Sequence, residues 1–316
     1  MPSKLLNPFL SDDPRVYTDW RARKLAMRPT SAADLVVGIS NATSVSENER
    51  AAVLNIVRRA NMAIFVSGDG SIGKDHLRIF GEQFGLRRLD ANLYADEDSI
   101  TSLQVSDRER KREYIPYTNQ RLNWHTDGYY NPPSQWIRAF LLYCAQDAAE
   151  GGDNQLLDHE IAYILLRDAD PRFIEALMHP AAMTIPANIE QGVEIRAAES
   201  GPVFSVDPLT GNLHMRYSAR TRNIQWRDDP ATLAAVQFLQ NLWDEGSDYV
   251  YHYRLMPGEG LICNNVLHNR TAFRDDPTPG PTPGKRRLMY RARYFDRIAA
   301  TDINLSDLHD QRGLAC

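Results

Sequence analysis

An antiparallel β-sandwich or jelly roll carrying flanking helices is predicted by three features of this 316-residue chain. Beyond about residue 100, β-branched and aromatic residues gather in short runs separated by turn residues. Helical patterns there are few and irregularly spaced, whereas a parallel βαβ sheet would alternate them with the strands. The hexapeptide Asp207-Pro208-Leu209-Thr210-Gly211-Asn212 joins two of the runs as a hairpin loop, with glycine where a positive φ is needed.

Ser46 with Glu49 three places on forms a capping box, and Val53, Ile56 and Val57 continue one helical face. A helix is therefore predicted from about residue 47 to 60. Met62 to Val66 reads as a short strand, Gly68-Asp69-Gly70 as a turn, and Lys74 to Phe84 as an amphipathic helix ending at Gly85. Strands are then predicted at Ser102–Val105, Trp136–Cys144, Pro202–Val206, Asn212–Tyr217, Tyr249–Met256, Gly260–Cys263 and Leu288–Phe295, with helices at about 158–168 and 230–244. The stretch from about 180 to 200 has few strong patterns and reads as a surface loop, with a lid as the functional alternative. Pro277 to Pro283 is a proline-rich loop. One domain over 1–316 is expected: a mixed α/β portion over 1–100 packed on a core over 100–298, then a tail over 299–316.

Composition narrows the function. Lys and Arg number 36 against 41 Asp and Glu, a net charge of −5 without a basic tail, so neither nucleic acid nor an anionic membrane is the expected partner. A small-molecule substrate fits better, and self-association is left open. Cys144, Cys263 and Cys316 are odd in number and far apart, which argues against a disulfide scaffold or a thiolate zinc site and for a reducing, cytoplasmic setting. The longest apolar run, Ala139 to Ala145, is far short of the ~20 residues that span a bilayer.

Residues able to hold a metal stand out next. In an extended segment residues two apart share a face, so His125 and Asp127 can present an imidazole and a carboxylate to one ion while Trp124 and Thr126 face away. A facial triad needs a third ligand, normally a second histidine. His268, just beyond the apolar run Leu261-Ile262-Cys263, is the expected one, with His214 and His252 as competitors. Arg287, Arg291 and Arg293 share strand parity with Met289, which gives one cationic face. Against solvent that face is ordinary; lining a cavity it would require an anion, which arginine grips bidentately.

Taken in order, Asn123-Trp124-His125-Thr126-Asp127, Gly151-Gly152-Asp153-Asn154, the hairpin from Pro202 to Leu213, His268 and Arg287-Leu288-Met289-Tyr290-Arg291 resemble the iron(II)- and 2-oxoglutarate-dependent dioxygenases of the taurine dioxygenase family. The resemblance runs from about residue 45 to 297 and implies a double-stranded β-helix (jelly roll) core with helices around it. It implies iron(II) on His125, Asp127 and His268, with 2-oxoglutarate and O2 as cosubstrates. Arg287 would grip the distal carboxylate of 2-oxoglutarate, and Arg291 would face its near carboxylate or the substrate. Asn154 stands where a threonine commonly helps to hold 2-oxoglutarate, as in the butyrobetaine hydroxylase branch. The interval from His268 to Arg287, 287 − 268 = 19 residues, is similar to that of the glutarate hydroxylase branch.

The activity so implied is oxidation of a small anion, a carboxylate or sulfonate, with release of succinate and CO2. Arg291, Arg293, Arg216 and Arg220 are the expected anchors, and Tyr129 and Tyr130 would line the substrate side. Two other readings use the same residues: a zinc hydrolase acting on an anionic substrate, and a non-catalytic jelly roll that binds a small acid.

Overall fold

The structure is a computed structural model and describes residues 6–70, 72–91, 96, 98–105, 115–220, 224–276 and 284–303. A six-stranded major sheet has the order Val36–Ile39, Met62–Ser67, Glu259–Cys263, Ala139–Gln146, Leu288–Tyr294, Thr101–Leu103. Only its first two strands run parallel. An antiparallel four-stranded minor sheet has the order Tyr251–Tyr253, Asn154–Leu157, Leu267–Arg270, Leu122–His125. Their inner faces meet where Phe140 of the major sheet lies 4.8 Å from the His268 ring of the minor one. This is the jelly-roll architecture expected, with helices around it.

The capping box forms as read: the Ser46 N–H donates to Glu49 and the Glu49 N–H to the Ser46 hydroxyl. The helix Glu47–Ala60 buries Val53, Leu54, Ile56, Val57 and Ala60, then stops at Asn61, whose φ of 57° turns the chain straight into the strand at Met62. That strand pairs with Glu259–Cys263 in the middle of the major sheet. The amino-terminal portion therefore contributes strands to the sheet itself, where the sequence reading had it packed on the outside. Ala139–Gln146 is buried almost throughout because it is covered on both faces, so its residues read as a continuous apolar run without alternation.

The hairpin closes between Phe204–Val206 and Leu213–Met215 with Gly211 at φ 77°, and the Asp207 side chain accepts from the N–H groups of Leu209 and Thr210. Two regions differ from expectation. The stretch 180–200 is not an irregular loop: Met183–Ile185 pairs with Glu199–Gly201, and a hairpin of Asn188–Glu190 with Val193–Arg196 projects between them. Pro14–Met27 is a helix that sequence periodicity does not announce. The proline-rich loop Pro277–Pro283, Cys316 and most of the tail lie outside the described residues.

Candidate metal centre

His125 ends the strand Leu122–His125 and faces His268 directly across the antiparallel ladder, their ring centroids 4.2 Å apart. Each imidazole is held by a carbonyl of its own strand region: His125 Nδ1 lies 2.8 Å from Asn123 O, and His268 Nδ1 lies 3.0 Å from Val266 O. Nδ1 therefore carries the proton and Nε2 keeps its lone pair, the form in which histidine binds metals. Burial lowers both pKa values, that of His125 to about 3 with the neighbouring His268 adding to it, so both rings are neutral near pH 7.

Asp127 follows two residues after His125. Its N–H donates to Asn265 Oδ1 (2.8 Å), while Asn265 Nδ2 donates to Asp127 O (3.0 Å) and Ile137 O (2.6 Å). Asn265 sits at φ 51°, a left-handed conformation asparagine tolerates, which turns the chain between the strands Glu259–Cys263 and Leu267–Arg270. Ligand atoms of His125, Asp127 and His268 lie within 4.8 Å of one another. The Asp127 carboxylate is buried. Burial opposes its charge, but Arg291 and Arg293 outweigh that and lower its pKa to about 2. Oδ1 accepts from Arg291 at 3.0 Å; Oδ2 has no hydrogen-bond partner among the described residues. Two imidazole lone pairs and an unused carboxylate oxygen converging in a buried site fit a divalent transition metal of the iron type.

The competing histidines are engaged elsewhere. His214 stacks on Trp136 at 4.7 Å, and exposed His252 contacts Gln155. The cationic strand lines the interior as the non-solvent alternative required: Arg287 is 5% exposed and Arg293 3%. Its regular alternation is interrupted by a register shift at Leu288/Met289. A cleft bounded by Leu142, Asn154, His268, Arg270, Arg287 and Arg291 runs from the metal cluster to Arg287.

Other expected residues divide. Arg216 is buried and donates to the carbonyls of Tyr129 (2.6 Å), Met183 (3.0 Å) and Glu199 (2.9 Å), so every guanidinium nitrogen is occupied. It is a clasp between three segments, with each guanidinium nitrogen already turned to a backbone carbonyl instead of to a substrate anion. Arg293 pairs with Asp90 and donates to the Tyr130 hydroxyl, so its charge is already compensated. Arg220, partly exposed, has no acidic partner among the described residues; burial raises the pKa of Tyr129, and Arg220 and Arg196 oppose that rise. The Tyr129 and Tyr130 rings meet edge to face at 5.3 Å.

Two residues escape the sequence reading. Asn265, visible only as half of a polar pair, locks the backbone of Asp127. Arg270, two places after His268 and so of the same strand parity, is 4% exposed and borders the cleft; the alternation used for His125 and Asp127 would have found it.

Comparison with known proteins adds the family. A uridine-5'-phosphate dioxygenase from Amycolatopsis sp is 33% identical over 185 residues, 57% of this chain and 62% of that protein, so the chain spans less than two thirds of this relative's length. An asparagine oxygenase solved in complex with Fe(II), 2S,3S-3-hydroxyasparagine and succinate superposes with a TM-score of 0.53 at 16% identity, covering 79% of this chain and 82% of that one. A variant of the non-heme iron oxygenase OrfP, in complex with (3S)-hydroxy-L-Arg, gives 0.54 at 15% identity over 93% and 92% of the two chains. At these identities the solved structures share the fold. Residues 26–293, most of the chain, match the family described as taurine catabolism dioxygenase TauD, TfdA, and the chain belongs to that family.

Proposed function

We propose that the protein is an iron(II)- and 2-oxoglutarate-dependent dioxygenase, folded as one domain, that hydroxylates a small anionic substrate with release of succinate and CO2. The observation that carries this reading is the buried His125–Asp127–His268 cluster with an unpartnered carboxylate oxygen, joined by one cleft to the buried guanidinium of Arg287. Iron(II) on those three ligands, with 2-oxoglutarate and O2 in the remaining positions, would supply the oxidation. The residues of the chain bind and orient. Carbonyls of Asn123 and Val266 fix the imidazole tautomers, and Asn265 fixes the Asp127 backbone. Arg287 takes the distal carboxylate of 2-oxoglutarate with Asn154 beside it, while Arg291 reaches from Asp127 toward the near carboxylate or the substrate.

On the substrate side stand Tyr129, Tyr130 and Arg220. With Arg216 and Arg293 committed internally and Arg291 shared with Asp127, Arg220, which has no acidic partner among the described residues, is available to a substrate anion. The 33% identical relative named for uridine-5'-phosphate favours extending the substrate class from carboxylates and sulfonates to phosphate monoesters. Adding iron(II) and 2-oxoglutarate without oxygen should give a weak visible charge-transfer band in the wild type. Carboxylates, sulfonates and phosphate monoesters can then be screened for stimulated, oxygen-dependent succinate release. Absence of both band and succinate rejects the reading, and hydrolysis supported by zinc without oxygen would replace it.

A further inference from the structure

Arg270 is a buried cation for which neither the metal cluster nor the substrate side has a use. Its Nη2 donates to the carbonyls of Thr118 (3.0 Å) and Gln120, and its Nε has no partner among the described residues. Arg287 is buried as deeply, and Asp275 reaches only its backbone N–H. Among the described residues neither guanidinium is ion-paired with a carboxylate. Both lie against one ring: their Cζ atoms are 4.8 Å and 5.1 Å from the centroid of Phe273, whose N–H is fixed to Asn119 O at 3.1 Å. Both also border the cleft that reaches His268.

Two like charges buried side by side are unfavourable unless an anion joins them. A carbonyl dipole satisfies a guanidinium N–H without neutralising its charge, so the brace to Thr118 and Gln120 leaves the surplus in place. One arginine suffices to grip one carboxylate; the second cation raises the positive potential at the far end of the cleft. We propose that Arg270 is a second recognition cation for the distal carboxylate of the 2-oxo acid, acting with Arg287 as a two-arginine site that selects dianionic over monoanionic 2-oxo acids. This rests on the 2-oxoglutarate reading above.

The test compares 2-oxoglutarate with 2-oxopentanoate, in which a methyl group replaces the distal carboxylate. Affinities are read from the anaerobic charge-transfer band of the iron(II) protein, and succinate binding to metal-free protein is read by calorimetry. Arg270→Gln should weaken 2-oxoglutarate binding about tenfold or more, weaken succinate likewise, and leave 2-oxopentanoate within about twofold. Equal losses for the two oxo acids would make Arg270 only the brace of Thr118 and Gln120, and no loss for either would remove it from recognition; both overturn the inference. If the Gln variant does not fold, Arg270→Lys keeps a cation without the fork, and the same ratio decides: a larger loss for 2-oxoglutarate than for 2-oxopentanoate supports the site, equal losses reject it. A wild type that binds neither 2-oxoglutarate nor succinate rejects the cosubstrate reading itself.

Discussion

Two buried clusters of charge in this molecule, linked through the neighbouring Asn264 and Asn265, are built on opposite rules. In the first, Lys24 Nζ contacts Asp158 (2.6 Å) and Glu160 (2.5 Å), and Asn61 Nδ2 donates to Asp158 at 3.0 Å. Asn61 Oδ1 in turn accepts from Asn264 and Arg297. Lys24 thus meets two carboxylates, and Arg297, itself 4.0 Å from Asp302, joins them through Asn61. In the second, Arg270, Arg287 and Arg291 share a cleft beside the carboxylate of Asp127, one of whose oxygens has no partner among the described residues. The adjacent asparagines divide the labour: Asn264 belongs to the closed cluster and Asn265 to the open one. Closure serves folding, because a buried charge must be compensated within the chain. An open cluster is destabilised until something from outside completes it, and the residues it leaves unpaired describe the missing partner.

The sharpest way to break this contrast is to remove the open carboxylate. Asp127→Ala should cost about a thousandfold or more in oxygen-dependent succinate formation, since the proposed iron site would lose one of its three ligands. It should cost the metal-free protein less stability than loss of Lys24 does, because it strands the partly exposed Arg291 while Arg293 keeps Asp90. Succinate assays and a melting curve of the metal-free protein check both; a folding defect with activity per folded molecule intact would show the two clusters to be alike.

Lys24→Met is the converse. It strands Asp158 and Glu160 without their ammonium, and truncating one side of a buried ion pair costs about 3–5 kcal/mol. Denaturant unfolding should show that loss while succinate formation per folded molecule is retained. The pH dependence has a definite sign. Burial opposes both charges, yet Lys24 is raised by Asp158 and Glu160, and Asp158 is lowered by Lys24. Stability from the lowered carboxylate is full above its ordinary 3.8 and lost as pH falls through the folded value; stability from the raised ammonium is full below 10.5 and lost as pH rises through its folded value. The difference between wild type and variant should therefore be widest between those limits and shrink in acid.

Arg287→Ala probes the open cluster at its far end. The 2-oxoglutarate requirement should rise about 10- to 100-fold with little change in the saturated rate, as removal of a bidentate carboxylate grip does. An unchanged requirement would show that this arginine does not hold the cosubstrate.

The same contrast explains what could be read from the residues alone. The helix Glu47–Ala60 and the hairpin at Gly211 were legible because their signals are local: a capping box, and a loop that needs one positive φ. The grouping of His125, Asp127 and His268 was legible because strand alternation and the need for a third ligand are also simple rules. The helix Pro14–Met27 was not, since its buried stripe is Val16, Trp20 and Lys24. A lysine in that stripe breaks the apolar period, and the acids that justify it lie more than 130 residues away at Asp158 and Glu160. Polar residues whose partners are distant carry no local signature.

Arg216 is the clearest case and makes the smallest-effect prediction. Its sequence neighbourhood marks it as an anion anchor, yet each of its three guanidinium nitrogens donates to a carbonyl, of Tyr129, Met183 or Glu199, which come from the metal loop and from the two strands Met183–Ile185 and Glu199–Gly201. Lysine at this position could keep one of those bonds and would leave the other carbonyls short of a donor, for about 2 kcal/mol of stability. The substrate KM in Arg216→Lys should stay within about twofold of wild type, because a clasp that never touches the anion loses stability before it loses affinity. Arg220→Lys, in contrast, should raise that KM while leaving the melting temperature alone. If the two variants exchange these behaviours, the assignment of the closed and open arginines on the substrate side is reversed, and the anion sits deeper, against the clasp.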